Sequence, residues 1–278
     1  MAIPHHASLE DRIWHYGSRA LCFVVLGFLI LPIVIIIPMS FTSGNLLVFP
    51  IPGFSLRWYE SLAEGDAWID AAKNSLAIAV ASTMLSMTLG TMAAAGLSRA
   101  EFALKPVVIG LILSPVLIPI VITAVGMYFF FVSVGLSGTY AGLILAHTAL
   151  GVPFVVITVL ASLDGFDNNL VRAAASLGAP PLTAFRRITL PIIFPGVASG
   201  GLFAFVTSFD EIVVTLFLAA PDQRTLPRQI FSGVREYVSP GIAAVATVLI
   251  LLSIVLLVTI QLLQSRSRKL MRKSTPGT

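Results

Sequence analysis

Long apolar runs alternate with short polar segments along most of the chain. A helix that crosses a bilayer needs about 20 consecutive, mainly apolar residues. Six runs reach this length and predict an all-α polytopic membrane protein with six transmembrane helices, at Ala20–Met39, Ser75–Leu97, Val107–Val134, Tyr140–Leu163, Ile192–Ala219 and Ile242–Leu263. The pattern thus predicts one transmembrane domain over residues 20–263, preceded by a segment at 1–19 and followed by a basic tail at 264–278.

Prolines and small residues modify these predicted helices. Pro115 and Pro119 in the third span, and Pro153 in the fourth, are expected to kink or locally unwind their helices. Small residues cluster at 89–96 and at 196–201, and such clusters let helix backbones approach closely in lipid. The second and fifth spans are therefore expected to pack tightly against their neighbours.

Composition agrees with this membrane class. Hydrophobic residues make up 57% of the chain and charged residues only 11%, whereas a soluble domain usually carries about 25% charged residues. The net charge of +4 comes from basic residues spread over the short segments between apolar runs. That distribution is typical of a protein embedded in a lipid bilayer rather than of a nucleic-acid binder.

The positions of the basic residues predict the orientation in the membrane. With the N-terminus in the cytoplasm, twelve basic residues fall on the cytoplasmic side and five on the opposite side. The five are Arg57, Lys73, Arg224, Arg228 and Arg235. Because cytoplasmic loops carry the excess of Lys and Arg, both termini are expected in the cytoplasm.

The segment at 164–191 is cytoplasmic in this topology but does not resemble a flexible linker. It contains VRAAASLGAPPLTAFRRITLP, from Val171 to Pro191. Asp167 is expected to cap a helix, Gly178 to end it, and Pro181 to start a second helix, whose end lies near Arg186 and Arg187. The sequence predicts a short, stiff helix–turn–helix with an apolar face, which suits docking of a partner protein. A purely structural connection is the alternative.

An acidic pair, Asp210 and Glu211, lies well inside the fifth apolar run. A charge in the membrane costs at least about 2.5–3.5 kcal/mol, so each acid is expected to face a cavity, pair with a cation or be protonated. On a continuous helix the two side chains point about 100° apart, so one is expected at a pathway and the other at a neighbouring helix or a main-chain amide. A structural salt bridge or a polar contact at a helix end is the alternative. The candidate translocation pathway comprises Asp210, Glu211, Phe209, Ser208, Tyr128 and Phe129.

Other candidate chemistry in the sequence is sparse. His147 lies in the fourth span, where it is expected to form a hydrogen bond with a neighbouring helix rather than carry protons. The sequence contains no phosphate-binding loop, no nucleophile–base pair and no metal-ligand spacing. It therefore predicts no enzymatic activity, no cofactor and no metal site.

The spacing in the cytoplasmic segment resembles the EAA loop of ABC importer permeases, E-A-A, three residues, G, nine residues, I-x-L-P. Ala173, Ala174 and Gly178 stand in register with Ile188, Leu190 and Pro191, and Arg172 stands where that family usually has Glu. Further segments resemble the second permease subunit of the spermidine/putrescine-type branch: FPIPGFSLRWY, KNSL, SGTYAGLILAHT, GFD, SFDEIVVTLFL and TLPRQIF.

The resemblance implies a type I importer permease in a bacterial inner membrane. Its partners would be a second, non-identical permease, two ATPase subunits that bind ATP and Mg, and a periplasmic solute-binding protein. The solute would be a polyamine, with opine-like compounds and aminophosphonates left open. The residues implied in ATPase coupling are Arg172, Ala173, Ala174, Gly178, Ala179, Leu182, Phe185 and Arg186. A proton-coupled carrier using Asp210, Glu211 or His147 and a structural scaffold are the rival interpretations.

Overall fold

The computed structural model describes residues 9–236 and 239–255, and most of them are helical. Within these residues the only extended pairing is an isolated bridge between Thr42 and Phe54. The all-α prediction is therefore confirmed. The helices are α1 Leu9–Met39, α2 Arg57–Glu64, α3 Asp66–Arg99, α4 Lys105–Leu117, α5 Ile120–Ser133, α6 Tyr140–Asp164, α7 Asn169–Ser176, α8 Pro181–Ala184, α9 Leu190–Phe209, α10 Val213–Leu218, α11 Leu226–Glu236 and α12 Pro240–Val255.

The chain divides into two compact units. One comprises Met1–Gly65 and Gly233–Thr278, and the other comprises Asp66–Ser232. In the first unit, the indole Nε1 of Trp58 on α2 donates to the carbonyl of Thr42 (3.1 Å), and the Tyr59 hydroxyl lies 2.6 Å from Ser40 Oγ. These bonds attach the short helix α2 to the end of α1.

The predicted spans correspond to helices with three exceptions. Four described helices are long and apolar enough to cross a membrane: Ile13–Met39, Asp66–Arg99, Tyr140–Asp164 and Pro181–Phe209. The third predicted span is not one straight helix, since α4 and α5 meet at 108°. The fifth predicted span breaks at 210–212. Of the sixth predicted span, the structure describes the part in α12, and residues 256–263 lie outside the described part of the chain.

The prolines act unequally on their helices. The bend between α4 and α5 falls at Ile118 and Pro119, as the sequence predicts. Pro115 lies inside α4 without ending it. α6 continues through Pro153 from Tyr140 to Asp164, so the helix is not unwound there, and a kink at Pro153 stays a prediction. α6 packs against both α3 and α9, and neighbouring helices help a membrane helix to accommodate proline.

The second unit is built around α3, α6 and α9, which pack against one another. Tyr140, at the start of α6, donates from its hydroxyl to Asn74 Oδ1 near the start of α3 (2.9 Å). Arg99 and Asp164, the last residues of the same two helices, line one cavity. α3 and α6 are therefore parallel, and we call the two ends of this unit the Asn74 end and the Arg99 end. Because α3 finishes at the Arg99 end and α6 starts at the Asn74 end, α4 and α5 together return the chain as one broken span.

Small residues allow the close packing of these three helices, as the sequence predicts. A Cβ added to Gly90 on α3 would lie 2.7 Å from Val155 Cβ, and one added to Gly200 on α9 would lie 2.7 Å from Val155 Cα. Val155 itself is completely buried. Glycine at 90 and 200 is therefore needed for the approach of α3 and α9 to α6.

Replacement of Gly90 tests this packing directly. We expect Gly90→Ala to lower the melting temperature of the detergent-purified protein, because overpacking a close contact costs typically about 1–3 kcal/mol. Gly96→Ala on the same helix is the matched control, since no atom lies within 4 Å of its added Cβ. Because alanine favours helix over glycine, the control should keep or raise the melting temperature. Equal melting temperatures for the two variants would contradict the packing account.

Candidate functional site

Three features carry the candidate site: the segment between α6 and α9, a break in the fifth span, and a buried polar cluster beside that break. In the first of these, α7 ends at a glycine with φ of +82°. The Gly178 amide donates to the Ala175 carbonyl (2.9 Å), and the Ala179 amide donates to the Ala174 carbonyl (3.0 Å). This pair of bonds is a Schellman motif, which uses a left-handed residue to end a helix. The prediction that Gly178 ends this helix is confirmed.

The start of α7 also follows the sequence prediction. The Asp167 carboxylate accepts from the Asn169 amide (2.9 Å), so Asp167 caps the helix that begins at Asn169. Pro181 occupies the first turn of α8, where its missing N–H costs no hydrogen bond. The helix–turn–helix predicted for this segment is therefore confirmed.

The prediction that the second helix ends near Arg186 and Arg187 is wrong. α8 continues through a π-helical turn at Phe185–Thr189 directly into α9. Pro191 explains the turn, because its ring clashes with the carbonyl four residues earlier. The clash favours hydrogen bonds to the carbonyl five residues back, which is the π-helical pattern. The Leu190 amide accordingly donates to the Phe185 carbonyl. Pro181–Phe209 is thus one continuous helix of 29 residues. It joins the segment at 164–191, which we call the predicted docking segment, to the interior of the unit.

The surface of the docking segment is both basic and apolar. Arg172, Ala173 and Arg186 are exposed, whereas Ala174 and Ala184 are buried. Leu177 is 89% exposed and Leu182 is 66% exposed; Ala179 and Phe185 are half-buried. Sequence reasoning missed Leu177, although its place just before the helix-ending glycine was a usable signal. Residues 168–191 contain no acid, so this surface suits a partner with acidic and apolar groups.

An open cavity of about 670 Å³ lies beside the docking segment at the Arg99 end. Arg172 shares this cavity with Arg99, Glu101 and Asp164. Arg172, which stands where the resembling family has an acid, is therefore close to charged groups from the ends of α3 and α6.

The second feature is a break in the fifth span. α9 ends at Phe209 and α10 begins at Val213, so the expectation of one helix over Ile192–Ala219 is wrong, and so is the angle derived from it. Glu211 explains the break, because its Oε1 accepts from the Val214 amide at 2.8 Å. A carboxylate that accepts from an amide at the start of a helix stabilises that start. The sequence predicts that one of the two acids contacts a neighbouring helix or a main-chain amide, and Glu211 makes the amide contact.

Asp210 is placed differently from Glu211. Its side chain is exposed, while its amide closes the last turn of α9 by donating to the Val206 carbonyl (3.0 Å). Among the described residues, no side chain or amide donates to the Asp210 carboxylate. The structure therefore separates the two acids: Glu211 caps a helix, and Asp210 presents a carboxylate.

The predicted aromatic residues are only partly brought together. The Tyr128 ring lies 6.5 Å from that of Phe217 on α10 and 5.6 Å from that of Phe129. Phe209 instead stacks on Phe205 of its own helix, with ring centroids 5.7 Å apart. Tyr128 and Phe129 thus lie beside the helix that follows the break, and Phe209 lies on the helix that precedes it.

The third feature is a buried polar cluster at the break. Ser208, predicted to line the pathway, is 4% exposed, and its hydroxyl lies 2.8 Å from His147 Nδ1. His147 is 1% exposed and bonds across to two other helices, as the sequence predicts for its hydrogen bonding. Ser208 therefore faces a helix interface. Ser82 and Thr215 complete the cluster, and neither was singled out from the sequence.

The break lies about 10 Å from the Asn74 end of the unit, measured along its helices. Ser82, which bonds Ser208, is eight residues along α3 from Asn74, which corresponds to about 12 Å of helix. His147 lies seven residues after Tyr140 on α6, which corresponds to about 10 Å of helix. The exposed Asp210 follows Ser208 by two residues, so a carboxylate is presented at roughly this depth below the Asn74 end.

These features are those of a membrane permease, with the predicted docking segment at one end and a broken span near the other. The chain has the fold of a type I ABC importer permease. It matches a crystal structure of a bacterial ABC transporter involved in the import of the acidic polysaccharide alginate, with a TM-score of 0.72 and 15% identity over 94% of this chain and 99% of that one.

Sequence comparison gives the family. The model for binding-protein-dependent transport system inner membrane components matches residues 86–273. The spermidine/putrescine transport system permease protein PotC of Haemophilus influenzae is 36% identical over 249 residues, covering 90% of this chain and 96% of the relative. The putrescine transport system permease protein PotI of Escherichia coli strain K12 is 33% identical over 236 residues, covering 82% and 84%. The chain belongs to the family of binding-protein-dependent transport system inner membrane components.

The family places the chain in an inner membrane as one component of an ABC importer. Components of this kind form the membrane part of a transport system, and ATP hydrolysis belongs to a separate subunit. The recognition of an importer permease in the sequence is thereby confirmed.

Proposed function

We propose that the chain is one of two non-identical permease subunits of an importer for polyamines. The two permeases would pair with two ATPase subunits, one of which would dock on the segment at 164–191 of this chain, and a periplasmic binding protein would deliver the solute at the Asn74 end. Both termini then lie in the cytoplasm, as the excess of basic residues on that side predicts. The names of the relatives PotC and PotI support a polyamine as the solute.

One observation carries the choice of a cationic solute. Asp210 presents an exposed carboxylate at a helix break, about 10 Å from the Asn74 end of the unit. A polyamine carries ammonium groups, which lose hydrogen bonds to water when they enter the protein. Charge-assisted hydrogen bonds to carboxylate oxygens replace them. Tyr128 offers an aromatic face for cation–π contact beside α10. An anionic solute would be repelled by the same carboxylate.

Uptake by reconstituted vesicles tests the solute. The chain is purified with the second permease, the ATPase and the binding protein of its importer, and labelled spermidine and putrescine are supplied outside vesicles that contain ATP. We expect saturable uptake of at least one of them, with weak competition from an opine-like compound or an aminophosphonate. Uptake of an aminophosphonate in preference to both polyamines would overturn the proposed solute.

Docking of the ATPase makes a separate prediction at Leu177. Because this side chain is 89% exposed, Leu177→Asp should leave the fold intact and weaken ATPase binding by about tenfold, as expected when an apolar anchor is lost. Copurification and ATPase titration measure the effect. Leu46→Asp, at a side chain 68% exposed on the opposite predicted side, is the control and should bind normally. Normal binding by Leu177→Asp would remove this residue from the docking surface.

A further inference from the structure

The imidazole of His147 bridges the two sides of the break in the fifth span. Its Nδ1 lies 2.8 Å from the hydroxyl of Ser208, in the last turn of α9. Its Nε2 lies 3.2 Å from the hydroxyl of Thr215, in the first turn of α10. His147 belongs to neither helix, since it lies on α6. One buried side chain thus connects both ends of the turn at 210–212 to a third helix.

The bridge is part of a longer chain of hydrogen bonds. The Ser82 hydroxyl on α3 donates to Ser208 Oγ (2.9 Å), and the Thr215 hydroxyl donates to the carbonyl of Glu211 (3.2 Å). With Nδ1 accepting from Ser208 and Nε2–H donating to Thr215, every proton in the chain has an acceptor. A fully satisfied buried network of this kind holds its members in one arrangement.

The turn itself contributes a second restraint. The Glu211 carboxylate is held by the Val214 amide, and the Glu211 carbonyl accepts from Thr215. Asp210 is the neighbouring residue whose exposed carboxylate has no described partner. The position of that carboxylate therefore depends on the restraints at the two sides of the turn.

We infer that His147 is a positioning residue, which clamps the turn between α9 and α10 and so fixes where Asp210 presents its carboxylate to the solute. This inference rests on the proposed function for the identity of the solute. The clamp itself is a structural claim, and it is testable without transport.

The first test measures the position of residue 210 directly. In a Cys22→Ser background, which removes the single cysteine of the chain, Asp210→Cys is labelled with a water-soluble thiol reagent in the assembled importer. Adding His147→Leu should change the labelling rate by about fivefold or more, the factor expected from one lost hydrogen bond. Thr215→Val, which removes the hydroxyl that bonds both His147 and the Glu211 carbonyl at similar volume, should act in the same direction. If His147→Leu does not assemble, Thr215→Val carries the test.

A neighbouring buried residue provides the matched control. Thr148 is 3% exposed, and its hydroxyl donates to the carbonyl of Ile144 on its own helix. Thr148→Val should leave the labelling rate unchanged. An unchanged rate in His147→Leu, or an equal change in Thr148→Val, would overturn the clamp. This outcome is independent of whether the importer carries polyamines.

The second test asks whether His147 acts through Asp210. His147→Leu should lower polyamine uptake by about tenfold at low solute concentration, with a smaller loss at saturation, since misplacement of a binding group costs affinity. In an Asp210→Asn background the same change should cost less than about twofold, because residues that act as a unit are not additive. His147→Gln, which can both accept and donate, should restore part of the uptake. Additive losses would show that His147 acts independently of Asp210 and would overturn the inference.

Discussion

Asp210→Asn should reduce polyamine uptake by about tenfold to a hundredfold, the factor that corresponds to losing a hydrogen bond to a charged group. Asparagine preserves the size of the side chain and leaves the amide free to close α9 on the Val206 carbonyl. The loss should therefore appear as a higher apparent KM for solute, with ATPase binding unchanged. Initial uptake rates over a range of solute concentrations measure it.

Substitutions at two other acids test whether the effect is specific to the carboxylate at position 210. Glu211→Gln should cost less than Asp210→Asn, because the glutamine oxygen can still accept from the Val214 amide. Asp222→Asn, at an exposed acid near the Asn74 end whose carbonyl accepts from Asn74, is the control and should transport normally. Equal rates for Asp210→Asn and wild type would remove Asp210 from the pathway.

Gly178→Pro should uncouple ATP hydrolysis from uptake. Proline fixes φ near −65°, whereas Gly178 adopts +82°, and proline also removes the amide that donates to Ala175. The turn between α7 and α8 must then change its direction. Uptake per ATP hydrolysed should fall by about tenfold or more, since an incompatible proline costs more than about 1 kcal/mol and displaces the segment.

A second substitution at position 178 tests whether the left-handed backbone conformation is what matters, rather than glycine itself. Asparagine tolerates the left-handed conformation better than other residues with a side chain, so Gly178→Asn should retain most of the coupling. Hydrolysis and uptake are measured in the same proteoliposomes for both variants. Normal coupling in Gly178→Pro would contradict the mechanical role of this segment.

Local chemistry explains why the docking segment could be predicted from the sequence. Gly178 and Pro181 restrict the backbone so strongly that each has few possible places in a helix–turn–helix. The apolar runs likewise predicted α3 and α6, because their length and composition leave few alternatives in a bilayer. Close packing through Gly90 and Gly200 followed from the same small-residue pattern.

The break at 210–212 could not be predicted from apolar periodicity. No glycine or proline lies at 209–213, and the helix ends because the Glu211 side chain captures the Val214 amide. The long connection from α8 to α9 was missed for a related reason. Apolar length alone places the start of the fifth span at Ile192, whereas the clash of the Pro191 ring acts upstream and converts Phe185–Thr189 into a π-helical turn.

Tertiary context decided the remaining differences. Pro119 bends its span and Pro153 does not interrupt its helix, although both are prolines within apolar runs. α6 is packed between α3 and α9, and a sequence does not specify which of its helices will be supported in this way. The partners of His147 are equally non-local, since Ser208 and Thr215 are 61 and 68 residues away from it along the chain.

The source of energy for transport tests the central claim most directly. Vesicles that contain the complete importer are compared with vesicles that lack only the ATPase, each with internal ATP and with or without a proton gradient. A chain driven through the segment at 164–191 should import solute only when ATPase and ATP are present, and an uncoupler should leave that uptake unchanged. Uptake that persists without the ATPase and collapses when the proton gradient is removed would contradict the account and establish a proton-coupled carrier.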